Sequence, residues 1–294
     1  MSTVPLTLQR AVAAPDDLRF DRSDGLRRAL HDGVFALAVP DDLDLRPGIT
    51  LCREFHHPPQ GDPVGDAYRG FRDRVDVYFD REDFQVEHVL TDAAARTRHF
   101  PAPLTAMVDR MTELALLVFR TALVELGIPG SMWRHVTGGA VDGLGTHWFV
   151  AHHYRGHRTQ VGCAPHRDTG YVTVLHAQQP GLEVRSDGAW IPVDPVPGHF
   201  LVNFGQSFAI LTERLPLRTT AALHRVREYR SGRPGADRIS FAAFVDPPAT
   251  GVLRRMHPDG SVTAAVDIEE FLRANNESTW SDHEGFGVST SRQS

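Results

Sequence analysis

The sequence predicts a mainly β chain with flanking helices, an α+β protein whose core is a double-stranded β-helix (a cupin-like jelly roll) with N-terminal helical additions. Three observations predict it. From Gly145 onward the chain is cut into short apolar segments of strand length, with Gly, Pro or Asp between them. The first half instead mixes helical and strand-like stretches. No internal repeat suggests a propeller, so regular punctuation of this kind points to a sandwich or jelly roll.

Taken in order, Pro5 to Gln9 reads as a short first strand, and Ser23 to Leu30 as a capped helix ending near Gly33. Val34 to Val39 is an unbroken apolar run and reads as a buried strand. Pro47 to His57 reads as a helix that stops at Pro58-Pro59, and Gln60 to Gly70 as a loop. Tyr68 to Phe79 mixes aromatics with arginines. It reads equally as an edge strand with a charged face or as a stretch that meets substrate. Pro103 to Leu126 has apolar residues at helical spacing up to Gly127 and should pack on the outside of a sheet.

Seven strand candidates follow: Trp148 to Tyr154, Tyr171 to Gln178, Leu182 to Arg185, Ala189 to Val193, His199 to Phe204, Ala222 to Arg227 and Arg238 to Val245. Turns fall at Pro180-Gly181, Ser186 to Gly188, Pro195 to Gly198 and Ser231 to Ala236. Gly251 to Leu253 and Val262 to Val266 flank a hairpin turn, and a polar tail with His283, Arg292 and Ser294 ends the chain. The expected organisation is one domain over 1–294. Residues 1–144 pack on a core at 145–250 that holds the site, and 251–294 form the hairpin and tail.

The formal net charge of −6 and the scattered basic residues argue against a nucleic-acid partner. All 31 basic residues are arginine, a composition expected of a high-GC, bacterial-type source. The two cysteines, Cys52 and Cys163, imply no disulfide framework and make a reducing cytoplasm the default. The N-terminus lacks a signal-peptide pattern, and no apolar run approaches the roughly 20 residues needed to span a bilayer. Nothing requires more than a monomer or weak oligomer.

Chemistry concentrates at His166-Arg167-Asp168. If the run beginning at Tyr171 sets the strand geometry here, two-residue periodicity sends both groups to one face, where they could bind one metal ion. Two His and a carboxylate suit non-haem Fe(II), and His224 is the candidate third ligand. In a chain with 16 histidines about one His-x-Asp arises by chance. A second one exists at His257-Pro258-Asp259, where Pro and Asp-Gly make it a turn. Arg238 and Ser240, two apart on a strand, offer a cation and a hydroxyl to one carboxylate, as a dicarboxylate co-substrate would need. His199 is a rival distal ligand but lies beside the Pro197-Gly198 turn. His56, His57, His152, His153 and His176 read as packing or surface groups, and Cys163 as an inert buried thiol.

Gly162 to Asp246 resembles the C-terminal half of the Fe(II)/2-oxoglutarate-dependent dioxygenases of the isopenicillin N synthase-like family. The matching pieces, in the family's order, are His166-x-Asp168, Pro180-Gly181-Leu182-Glu183-Val184, Gly188-Ala189-Trp190-Ile191-Pro192-Val193, Pro197-Gly198, Val202-Asn203-Phe204-Gly205, His224-Arg225-Val226 and Arg238-x-Ser240. The resemblance implies Fe(II) on His166, Asp168 and His224, with Arg238 and Ser240 holding the distal carboxylate of 2-oxoglutarate and Tyr154 supporting it. It also implies O2 as oxidant and Phe244 as a substrate contact. Tyr68, Arg69, Arg72 and Arg74 are further candidates for the pocket wall, and those arginines suggest an anionic substrate.

Three departures stand out. His152 replaces the family's Asn two residues before the Tyr. Asn203-Phe204-Gly205-Gln206 stands where Asn-x-Gly-Asp is common, and Thr212 to Thr220 is a few residues long. The latter two are expected to touch no ligand. Because halogenating relatives replace the carboxylate that Asp168 supplies, the resemblance favours hydroxylation, desaturation or oxidative cyclisation of a small molecule, in bacterial specialised metabolism, with release of succinate and CO2. The alternatives are a 2-oxoglutarate-independent oxidase like isopenicillin N synthase and a jelly-roll binding module without catalysis.

Overall fold

The computed structural model describes residues 6–230 and 237–280. The 231–236 turn, the N-terminal five residues and the tail with His283, Arg292 and Ser294 lie outside the described residues.

The chain opens with β1 (Arg10–Ala13), β2 (Leu18–Phe20), α1 (Gly25–Asp32), β3 (Val34–Ala38) and α2 (Arg46–Glu54). The first strand therefore begins at Arg10 rather than Pro5, and the Leu6 N–H bonds instead to the Pro192 carbonyl. Gly33 ends α1 at φ +77°, a left-handed conformation that favours glycine, and its N–H closes on the Ala29 carbonyl. α3 (Pro63–Asp66), β4 (Tyr78–Asp80), β5 (Val86–Thr91), α4 (Ala93–His99), α5 (Ala102–Glu125) and α6 (Trp133–Val136) complete the first half. The expected strand over Tyr68 to Phe79 is mostly turn and one 3-10 helix (Phe71–Asp73), because Gly70 at φ +71° reverses the chain. Only its end pairs, as the edge strand β4.

The second half contains β6 (Phe149–Tyr154), β7 (Cys163–His166), β8 (Val172–Ala177), β9 (Leu182–Ser186), β10 (Ala189–Pro192), β11 (His199–Phe204), α7 (Gln206–Thr212), β12 (His224–Val226), β13 (Arg238–Val245), β14 (Val252–Met256), β15 (Val262–Asp267) and α8 (Ile268–Trp280). All seven expected strands are present. The segment read as the start of a polar tail is the helix α8, opened by the Asp267 carboxylate accepting from the Glu270 N–H.

A nine-stranded sheet runs β2-β1-β3-β11-β8-β13-β6-β5-β4 and faces a four-stranded sheet β10-β9-β12-β7. Together they form the jelly roll. On the outer face of the large sheet, α5 buries Leu104, Met107, Val108, Met111, Leu114, Ala115, Val118 and Phe119 against β8 and β13. Between the sheets a smaller cluster includes Val86, Tyr154, Cys163, Leu182, Val184, Leu201 and Val226. The cavity described next opens within this inner layer. The β14–β15 hairpin places His257-Pro258-Asp259 in its turn, where Asp259 accepts from Ser261 and His257 meets Thr263. That His-x-Asp is structural. No helix among the described residues is long and apolar enough to cross a membrane.

Candidate active site

Pairing builds the site. In the small sheet His224 on β12 stands opposite His166 at the end of β7, while Asp168 lies in the connection to β8. His166 and Asp168 therefore do not share a strand, and the turn after β7 rather than strand periodicity brings them to one point. Asp168 Oδ1 is 3.6 Å from His166 Nε2 and 3.7 Å from His224 Nε2. A metal about 2.1 Å from each donor sets neighbouring donors about 3 to 3.7 Å apart, so the three match one ion.

Hydrogen bonds set the donor atoms. His166 Nδ1 donates to the Ala164 carbonyl and His224 Nδ1 to the Ala222 carbonyl, at 2.8 and 3.0 Å, which assigns the lone pair of each ring to Nε2. Asp168 Oδ2 accepts from Thr173 Oγ1 and Asn203 Nδ2, which leaves Oδ1 toward the imidazoles. Burial alone would push the Asp168 carboxyl up. The two imidazoles and the two donors outweigh burial and hold it below its ordinary value.

Asn203 thus corrects the expectation that its segment touches no ligand. It bonds to Asp168 directly, and the Gln206 N–H bonds to the Asp168 carbonyl at 2.7 Å. The glycine between them is required by closeness, since a Cβ on Gly205 would sit 2.3 Å from the Gly170 carbonyl.

Antiparallel pairing on the large sheet sets Arg238 beside Tyr154 and Ser240 beside His152, all facing the cavity that holds the triad. The Arg238 guanidinium lies 4.5 Å above the Tyr154 ring, and its Nε donates to the Pro180 carbonyl at 3.2 Å. Arg238 is 1% exposed, and its Nη1 has no hydrogen-bond partner among the described residues. A buried cation with an open donor beside Ser240 fits a carboxylate from a co-substrate. Phe244 lines the same cavity.

Tyr68, Arg69, Arg72 and Arg74 do not. Arg69 bonds to Glu54, Arg74 caps the Phe71 ring, and Tyr68 packs against the main core. Arg72 makes a forked pair with Glu87, whose side chain faces away from the cavity while its neighbours Val86 and His88 line it. These arginines are therefore no support for an anionic substrate. His56, Glu87 and His153 also cluster. Both Glu87 oxygens are already taken by Arg72, Tyr78 and His153, so this group is a charge network rather than a metal centre. His199 bonds to the Pro197 carbonyl in its turn, apart from the triad.

Several cavity residues have no site role in the sequence reading, His152 among them, which reads there as a packing group. His88 lies on a strand that was not recognised, and Asn275 and Thr279 come from α8. Another is Asp246, two residues past Phe244. Burial, and then the charge of Asp168, push its carboxyl up to about 8.

Residues 145–247 match the sequence model of the 2OG-Fe(II) oxygenase superfamily. Leucoanthocyanidin dioxygenase 1 of Oryza sativa subsp. japonica is 31% identical over 166 residues, 55% of this chain and 42% of that protein. The chain spans at most half the length of such curated relatives. Among solved structures, the rice dioxygenase for auxin oxidation aligns with a TM-score of 0.62 at 23% identity, covering 86% of this chain and 88% of the other. Neurospora crassa T7H in complex with alpha-KG and 5-formyluracil aligns at 0.61 and 18%, covering 84% and 88%. These two likenesses establish the fold. The His-Asp-His geometry and the superfamily match coincide over one stretch of sequence, and in residues 145–247 the chain is similar to the 2OG-Fe(II) oxygenase superfamily.

Proposed function

We propose that the chain, read as one oxygenase domain, is a 2-oxoglutarate-dependent Fe(II) oxygenase of a small molecule. The observation that carries this reading is the buried, open Nη1 of Arg238 in the same cavity as the triad. His166, Asp168 and His224 would hold Fe(II), and Arg238 with Ser240 would hold the distal carboxylate of 2-oxoglutarate. When bound there, Fe(II) and 2-oxoglutarate supply the oxidation of a C–H bond by O2, coupled to conversion of 2-oxoglutarate to succinate and CO2.

The chain's own residues do the positioning. Tyr154 fixes the guanidinium from below, while Thr173 and Asn203 fix the carboxylate. Leu175, Ala242 and Phe244 give the cavity a dry wall that shields the reacting centre. With Asp168 in the triad, the supported outcomes are hydroxylation, desaturation or cyclisation rather than halogenation. The arginine-only basic composition supports a bacterial-type source, and specialised metabolism is the setting this reading assigns.

Anaerobic titration of Fe(II) and 2-oxoglutarate into the protein should produce a visible charge-transfer band, absent in His166→Ala and Asp168→Ala. No band with wild type would sink the reading. Substrate-dependent succinate release separates it from an oxidase that uses Arg238 for a substrate carboxylate and forms no succinate.

A further inference from the structure

The inner face of the large sheet presents its side chains in rows. One row runs Phe79, His88, His152, Ser240 across β4, β5, β6 and β13. Its Ser240 end belongs to the proposed co-substrate clamp. Its other end has no place in that machinery. His88 is 2% exposed, lines the cavity, and neither of its ring nitrogens has a hydrogen-bond partner among the described residues. Its ring is backed by Phe79, stacked at 5.4 Å, and meets the His152 ring edge-on at 5.6 Å.

A buried imidazole with both nitrogens open is uncommon, because unmade hydrogen bonds to buried polar atoms cost stability. Strands lie about 4.8 Å apart, so His88, two strands from Ser240, stands about 10 Å from it, outside contact with a carboxylate held there. A ligand filling the rest of the cavity would reach it.

The chemistry of that ligand follows from the wall. Burial holds the His88 ring well below its ordinary value, so it is neutral and presents one N–H donor and one acceptor nitrogen. His152 beside it is held down to about 3 by burial and then by the Arg238 charge. The adjoining wall is apolar: Leu175, Ala242 and Phe244. Among the described lining residues Arg238 is the one buried cation, and on this reading 2-oxoglutarate occupies it.

We propose that His88, with His152 beside it, is the substrate-recognition subsite of this cavity, and that it selects an uncharged group that both donates and accepts hydrogen bonds, an amide or ring lactam, on an apolar body. The proposal rests on the oxygenase reading above for which end of the cavity the co-substrate takes. The test uses the full chain loaded anaerobically with Fe(II) and 2-oxoglutarate, with the charge-transfer band as the check on loading and folding. Benzamide, benzoate and toluene, which share size and shape, are titrated by calorimetry.

Benzamide should bind tightest. His88→Phe should weaken it about tenfold with the band unchanged, since one buried polar contact is lost. His88→Gln, which keeps a donor and an acceptor, should retain the preference. Failure of benzamide to bind, tighter binding of benzoate or toluene, an unchanged preference in His88→Phe, or equal losses in His88→Phe and His88→Gln overturns the proposal. A missing band in wild type instead overturns the oxygenase reading, so the two failures are told apart.

Discussion

The guanidinium of Arg238 lies 4.5 Å over the ring of Tyr154, and this pairing holds a strand arginine in one place beside the cavity. The ring removes the freedom of the side chain, and Pro180 takes one donor, so the remaining fork points one way. Arg238→Gln should raise the 2-oxoglutarate concentration for half-saturation on the order of 100-fold, as loss of a buried charge-paired fork does. The Fe(II) requirement should hardly change. Titrating each in turn against the charge-transfer band decides it, and equal effects on both would contradict the assignment.

Asp168 is held by groups that touch no metal in the proposed arrangement. Thr173→Val or Asn203→Ala removes one of the two donors on Oδ2 and lets the carboxylate turn. Such losses typically cost 10- to 100-fold in metal affinity. Competition of each variant against a chelator of known affinity gives the number. Wild-type affinity in both single variants, with a loss only in the double, would show that one donor suffices.

The legible parts of this chain are those where local pattern and long-range placement agree. The α5 stripe from Leu104 to Leu123 and the strands β11 and β13 could be read because each buries one continuous apolar set. His166, Asp168 and His224 were legible as a set only through their order with Arg238 and Ser240. Strand periodicity alone would have given a wrong reason, since Asp168 is off the strand. β5 escaped because Val86-Glu87-His88 breaks the apolar run with a charge that is itself buried, paired across the sheet with His153, far away in sequence. Its His88 escaped with it. The 268–280 helix was read as tail because its buried positions, Ile268, Leu272 and Asn276, include a polar residue and are sparse.

Glu87 is a test of that hidden strand. Its carboxylate is buried and accepts from Arg72 Nε and Nη2 at 2.9 and 2.7 Å, from Tyr78, and from His153. His153 in turn meets Asp237, the residue before Arg238. Glu87→Leu should cost about 3 to 5 kcal/mol, since its partners are left unpaired in a buried setting. Urea unfolding of the metal-free chain measures it. Glu87→Gln should cost less and shift 2-oxoglutarate affinity by under about tenfold, because the network reaches Arg238 only through the backbone at Asp237. A loss of affinity as large as that in Arg238→Gln would mean that the network does more than support.

Asp246 gives the pH dependence. Burial first, and the charge of Asp168 second, raise its carboxyl from the ordinary 3.8 to about 8, and its Oδ2 has no partner among the described residues. The folded chain therefore binds this proton more tightly than the unfolded chain. Below about pH 4 the group is neutral in both states and costs nothing. As pH rises from about 4 to 8 the unfolded chain releases the proton while the folded chain must keep it, and stability falls throughout that window before levelling off. Asp246→Asn removes the titration. The variant and wild type should melt together near pH 4 and diverge up to pH 8 in favour of the variant, by at most about 6 kcal/mol. The comparison belongs on metal-free protein, because a cation on Asp168 would cancel part of the repulsion. A melting-temperature difference that stays constant from pH 4 to 8 would show that Asp246 does not carry the effect.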